Sequence, residues 1–76
     1  MNIKVLGSGC ANCKKLLENV KEAVQSLQKD ATVDYIQDWK EIATYGLLRT
    51  PGLIVDQKIV SYGRVPTVEE IKNWIK

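Results

Sequence analysis

An α/β domain with the order β-α-β-α-β-β-α is what this sequence predicts, on three observations. Short β-branched runs recur as Ile3, Val5, Leu6, then Thr32 to Ile36, then Leu53, Ile54, Val55 and Ile59, Val60. From Ala11 to Leu27 the apolar residues recur with helical period instead. Two capping signatures, at Asp38 and Thr67, each precede a shorter apolar stripe and mark two further helix starts.

The first strand is broken by Gly7, Ser8 and Gly9, directly before the cysteines. In the first helix Leu16, Leu17, Val20, Ala23, Val24 and Leu27 make one stripe. Lys14, Lys15, Glu18, Lys21, Glu22 and Gln25 cover the other face, and Gln28, Lys29 and Asp30 mark its end. Thr32 to Ile36 is β-branched and aromatic, which favours a strand. Asp38 and Glu41 have the spacing of a capping box. Ile42, Ala43 and Tyr45 supply the apolar side of the helix that follows, and Gly46 suits its left-handed C-terminal position. The last two strands are expected to form a hairpin across Asp56, Gln57 and Lys58, although the turn lacks the glycine that tight primed turns prefer. Thr67 and Glu70 form a second box after Pro66, and Val68, Ile71, Trp74 and Ile75 continue as one helical face.

A chain of 76 residues has room for one domain, 1–76, and one modest core. With 45% apolar and 26% charged residues it has the composition of a folded globule rather than a disordered segment. Its net charge is only +2 and the basic residues are dispersed, so the clustered stripe that binds nucleic acid is missing from the sequence. No apolar run reaches the roughly 20 residues of a membrane span, and residues 1–9 are too short for the apolar region of a signal peptide. A cytoplasmic location is expected, where a lone cysteine pair is more often reactive than structural.

That pair is Cys10 and Cys13. Counted back from Leu16 and Leu17, the helical stripe lands on Cys13, so its sulfur should face the core. Cys10 falls at or just before the first turn, where unpaired helix N–H groups and the dipole favour an anion, hence thiolate over thiol; Lys14 and Lys15 add positive potential. In such an arrangement Cys10 attacks a target disulfide and Cys13 resolves the mixed disulfide.

Two other readings share the spacing. Both cysteines could be inert buried side chains or a crosslink. Or they could carry a soft monovalent copper ion, as the G-x-x-C-x-x-C loops of small ferredoxin-like metallochaperones do. Those domains run βαββαβ and carry Met where this chain has Ser8, and two cysteines without histidine do not complete a zinc site. A redox-regulated binding module without turnover is a third option. Without histidine, and with the carboxylates on expected solvent faces, a hydrolase is hard to build. Trp39, Trp74, Tyr35, Tyr45 and Tyr62 are assigned to core packing rather than to a base-stacking surface, and Arg49 and Arg64 to solvated charge.

The second half adds Thr50 and Pro51 immediately before an apolar strand. With C-x-x-C at the start of the first helix, the step from Tyr45-Gly46 to Pro51, the hairpin and the terminal helix, the chain resembles the thioredoxin family over nearly its whole length. The resemblance implies the thioredoxin-like minimal fold, a central mixed four-stranded sheet with helices on both faces and a cis proline facing the cysteines. It makes Cys10 the attacking and Cys13 the resolving thiol. Thr50 and Pro51, with Gly9 ahead of Cys10, become the substrate-docking edge, where an extended target segment pairs with backbone.

Within that resemblance the chain is more similar to short archaeal and bacterial redox-active disulfide proteins, glutaredoxin-sized but related to thioredoxins, than to thioredoxins themselves. The chain departs from thioredoxins in having Ala11-Asn12 between its cysteines, Gly9 before them, and Lys4 where they carry a buried Asp. Gly63 is followed by Arg64, where glutaredoxins bring a Gly-Gly pair and then an acid, so the electron donor is left as an unassigned reductase. The expected partners are that reductase and a protein or small disulfide, with no nucleic acid, membrane, metal or cofactor, and the chain acting as a monomer.

Overall fold

The expected element order forms in the computed structural model, which describes residues 1–7, 11–46 and 49–76. It runs β1 (Asn2–Leu6), α1 (Ala11–Leu27), β2 (Thr32–Ile36), α2 (Trp39–Thr44), β3 (Gly52–Val55), β4 (Lys58–Tyr62) and α3 (Val68–Ile75). The sheet order is β2-β1-β3-β4, with β1 parallel to β2 and both other pairings antiparallel. The α1 crossover is what permits the parallel pair, because a short turn can join only antiparallel strands.

Alternation along β1 divides the core into two layers. Ile3 and Val5 point to one face, where they meet Leu16, Val20 and Ala23 of α1, Leu53 and Val55 of β3, and Ile71 and Ile75 of α3. Leu6 points to the other, with Ile54 and with Ile42 of α2, and Ile36 and Tyr45 pack around them. Helices thus cover both faces: α1 and α3 one, α2 the other. The helical stripe read from the sequence is the buried face of α1, with Cys13, Leu16, Val20 and Ala23 sealed from solvent.

The ends of the elements differ from expectation where backbone φ is positive. α1 closes through Gln28 at φ 52°, with Gln28 N–H donating to Gln25 O and Lys29 N–H to Val24 O, which is the Schellman pattern with glutamine in the place glycine usually takes. The hairpin loop is Asp56-Gln57 alone, both in the left-handed region, so Lys58 already belongs to β4. Asp56 compensates: its carboxylate accepts from Asn2 N–H at 2.8 Å, while its own N–H donates to Asn2 O at 2.8 Å. Between Ser61 and Ile59 the ladder skips Val60, a bulge whose side chain packs on the α1–α3 layer.

Gly46, at φ 77°, takes the left-handed position expected after α2. At the start of α2 only half of the expected box forms: Asp38 accepts from Lys40 N–H, and Glu41 contributes negative charge in the first turn. The box at Thr67 and Glu70 is complete. Asn19 ties α1 to the approach of α3 by donating to the carbonyl of the buried Pro66 at 3.0 Å.

Candidate functional site

Strand ends and helix starts meet at one edge of the sheet. β1 and β2 run in parallel to Leu6 and Ile36, β3 begins there at Gly52, and β4 finishes opposite it at Tyr62. α1 begins at the same edge, because it follows β1. Brought together here are Cys13, Gly7, Thr50 and Pro51. Cys10 and Gly9 lie outside the described residues, as do Leu47 and Leu48 of the segment that leads to Pro51.

Cys13 is the third residue of α1 and is fully buried, as its place on the stripe predicts. It sits on Gly7: a β-carbon built on Gly7 would stand 2.7 Å from Cys13 Cβ and closer still to its Sγ. Only a residue without a side chain lets the helix approach the strand end this closely. Gly7 N–H donates to Ile36 O at 2.9 Å, which holds the end of β1 to β2. One step beyond the paired Leu6 and Gly52, the antiparallel register of β1 and β3 sets Gly7 across from Pro51. The Thr50-Pro51 peptide bond is cis. Pro51 is buried, Thr50 partly exposed, and Pro51 O accepts from Gly63 N–H at 2.9 Å. The resolving-thiol candidate and the docking-edge candidate therefore flank one glycine.

Gly7 is the residue that sequence reasoning missed. In the sequence it stands as a strand breaker, and a glycine ending a strand just before a helix-borne motif is also the signal of close backbone approach. Lys4 and Tyr45 form a second unforeseen pair on the α2 face. Lys4 Nζ donates to Tyr45 Oη at 2.7 Å and lies 5.0 Å from the ring centre. That bond raises the Lys4 pKa above its ordinary value, and Asp34 and Glu41 add to the effect.

Two assignments are corrected. Trp39 and Tyr62 are not core residues but stand 60% and 61% exposed, since α2 begins and β4 ends at the rim of the sheet edge. Trp74 and Tyr35 do pack on the α1–α3 layer, and Tyr45 on the α2 layer. Arg64 is exposed yet not merely solvated: its guanidinium grips both oxygens of Glu70, at 2.7 and 3.2 Å. That fork, with the N–H of Thr67, lowers the Glu70 pKa to about 2.

Comparison with known proteins shows the family. A family described as "Thioredoxin domain" matches residues 1–76. The chain is 44% identical over 73 residues to a thioredoxin of Methanothermobacter thermautotrophicus, covering 96% of this chain and 95% of that one. It is 43% identical over 74 residues to a thioredoxin of Methanocaldococcus jannaschii, covering 97% and 85%. The chain belongs to the thioredoxin family. It is a dithiol–disulfide oxidoreductase by that membership. The copper-carrier reading loses its footing, because a thioredoxin-family chain with a second helix after β2 and a third after β4 does not have the ferredoxin-like order. None of its helices is long and apolar enough to cross a membrane among the described residues.

Proposed function

We propose that Cys10 and Cys13 are the working dithiol of this thioredoxin-family chain and that its substrates are protein or small-molecule disulfides. The Cys10 thiolate attacks one sulfur of the target disulfide. The S–S bond breaks, the leaving sulfur departs as a thiolate and takes up a proton, and Cys10 is left joined to the other target sulfur. Cys13, as thiolate, then attacks Cys10 Sγ, which expels the second target thiolate and leaves a Cys10–Cys13 disulfide. Two electrons and two protons have passed to the target. A separate, unassigned reductant returns the pair to its reduced form, and the chain works as a cytoplasmic monomer without metal or cofactor.

The observation that carries this reading is the seat of Cys13, sealed beneath the start of α1 against Gly7 and next to the strand that Pro51 opens. A buried sulfur in the first helical turn is shielded from bulk substrate, and the geometry suits intramolecular resolution better than first attack. Thr50 and Pro51, with Gly9, are the edge on which an extended target segment lies.

The test is dithiothreitol-driven reduction of a protein disulfide by wild type, Cys10→Ser and Cys13→Ser at equal concentration. Wild type accelerates reduction, Cys10→Ser does not, and Cys13→Ser accumulates a mixed disulfide with the target. If folded wild type gives no acceleration, or Cys10→Ser retains it, the assignment of roles fails.

A further inference from the structure

Beside Cys13 and Pro51 stand three exposed cations, Lys14, Lys15 and Arg49; Glu18, one turn further along α1, forms no ion pair with them among the described residues. Lys14 and Lys15 follow Cys13 directly and are exposed in the opening of α1, where helical side chains lean back toward the N-terminus. Arg49, exposed and two residues before Pro51, lays its stem over Gly63: a β-carbon there would meet Arg49 Cδ at 3.3 Å and Cβ at 3.5 Å. Gly63 is the residue whose N–H holds Pro51 O, so Arg49 lies along the docking edge itself. None of these three cations has an ion-pair partner among the described residues.

Two acids of the elements around the edge are already engaged. Glu70 is closed in the Arg64 fork and the Thr67 cap, and Asp38 accepts from Lys40 N–H as the N-cap of α2. The first turn of α1 holds no acid to offset the positive helix end. The exposed rings of Trp39 and Tyr62 flank this field on the two edge strands' sides, as apolar contact points beside the charge.

We infer that this chain selects disulfides carried on acidic protein segments, with Arg49 reading a carboxylate beside the target cysteine and Lys14 and Lys15 steering its approach. The inference rests on the dithiol reading above and adds the substrate class. Complementary charge of this kind acts mainly on the encounter rate, so it belongs in kcat/KM.

The experiment compares three synthetic peptides, identical but for Glu, Gln or Lys around one internal disulfide, reduced by the wild-type chain with dithiothreitol as donor. At an ionic strength of about 0.01 M the Glu peptide is expected to exceed the Lys peptide roughly tenfold in kcat/KM, collapsing toward equality at about 1 M salt. Arg49→Gln shrinks that ratio and Arg49→Glu inverts it. Lys14→Gln with Lys15→Gln lowers it through the second-order rate. Lys29→Gln removes one positive charge just past the far end of α1, roughly 20 Å away, and leaves the ratio unchanged. Efficient reduction of the Gln peptide with equal rates for Glu and Lys overturns the inference while the dithiol reading stands. A ratio that Arg49→Gln does not alter, or that Lys29→Gln alters equally, also overturns it. No reduction of any peptide removes both readings.

Discussion

Cys13 rests on the backbone of Gly7, and the space between them holds no further carbon. This contact sets how near the first turn of α1 comes to the end of β1, and so where the Cys13 sulfur, the proposed resolving thiol, stands relative to the strand that Pro51 opens. Gly7→Ala must push the helix start away or tilt the Cys13 side chain. Overpacking of this kind costs typically about 1–3 kcal/mol. Denaturant unfolding is expected to show that loss, and disulfide reduction to slow by more than the unfolded fraction accounts for. Cys13→Ala in the Gly7→Ala background recovers part of the stability, because the sulfur is the nearest clashing atom; additive losses would mean that the two residues do not share the space.

Glu70 gives the chain a defined acid sensitivity. Its pKa falls from 4.5 to about 2 on folding, chiefly through the Arg64 fork and then the Thr67 cap. A folded pKa below the unfolded one means stability that is present above pH 4.5 and is lost as pH falls toward 2. Unfolding curves across that window should show wild type losing more stability than Glu70→Gln, with the two converging at the acid end. Equal slopes would show that the fork does not persist in solution.

How much of this was legible depends on whether the deciding interaction is local. The α1 stripe, the place of Cys13 on it, the Thr67 box and the left-handed Gly46 all follow from spacing within a few residues, and each forms. What the spacing hid is settled across the sheet. Asp56 is held in an unfavourable turn conformation by Asn2, fifty-four positions away, and the Gly7 contact needs α1 folded back on β1. Trp39 and Tyr62 belong by composition in the core, but elements that start or stop at a rim leave their terminal side chains in solvent. At the candidate site, the burial of Cys13 was legible from its place on the α1 stripe, whereas its contact with Gly7 and the run of Arg49 along Gly63 needed the fold that sets α1 beside the start of β3.

Two glutamines are predicted to be improvable. Gln28 and Gln57 hold φ values of 52° and 70°, which side chains with a β-carbon adopt at a cost of roughly 1–2 kcal/mol. Gln57→Gly creates the Asp-Gly pair preferred in this hairpin turn, and Gln28→Gly the usual end of a Schellman motif. After the extra entropy of glycine in the unfolded chain, each is expected to gain about 0.5–1 kcal/mol. Both are exposed and remote from the dithiol edge, so disulfide reduction should not change. A lower denaturation midpoint for either variant would show that its side chain contributes more than its backbone conformation costs.

Lys4 places a cation where thioredoxins carry an acid, and its ammonium is committed to Tyr45 at the C-terminal cap of α2. The bond joins the third residue of β1 to the C-cap of α2. Tyr45→Phe keeps the ring beneath the cation and removes only the acceptor oxygen; Lys4→Met keeps the stem and removes the charge. Both are expected to lower the unfolding midpoint at neutral pH. The raised Lys4 pKa means that the contribution is complete below 10.5 and is lost as pH rises through the higher folded value. Alkaline unfolding should therefore be steeper in wild type than in Lys4→Met, and Tyr45→Phe should fall between them because the ring still faces the ammonium. If Tyr45→Phe matches wild type at neutral and alkaline pH alike, the ring and not the hydroxyl holds Lys4.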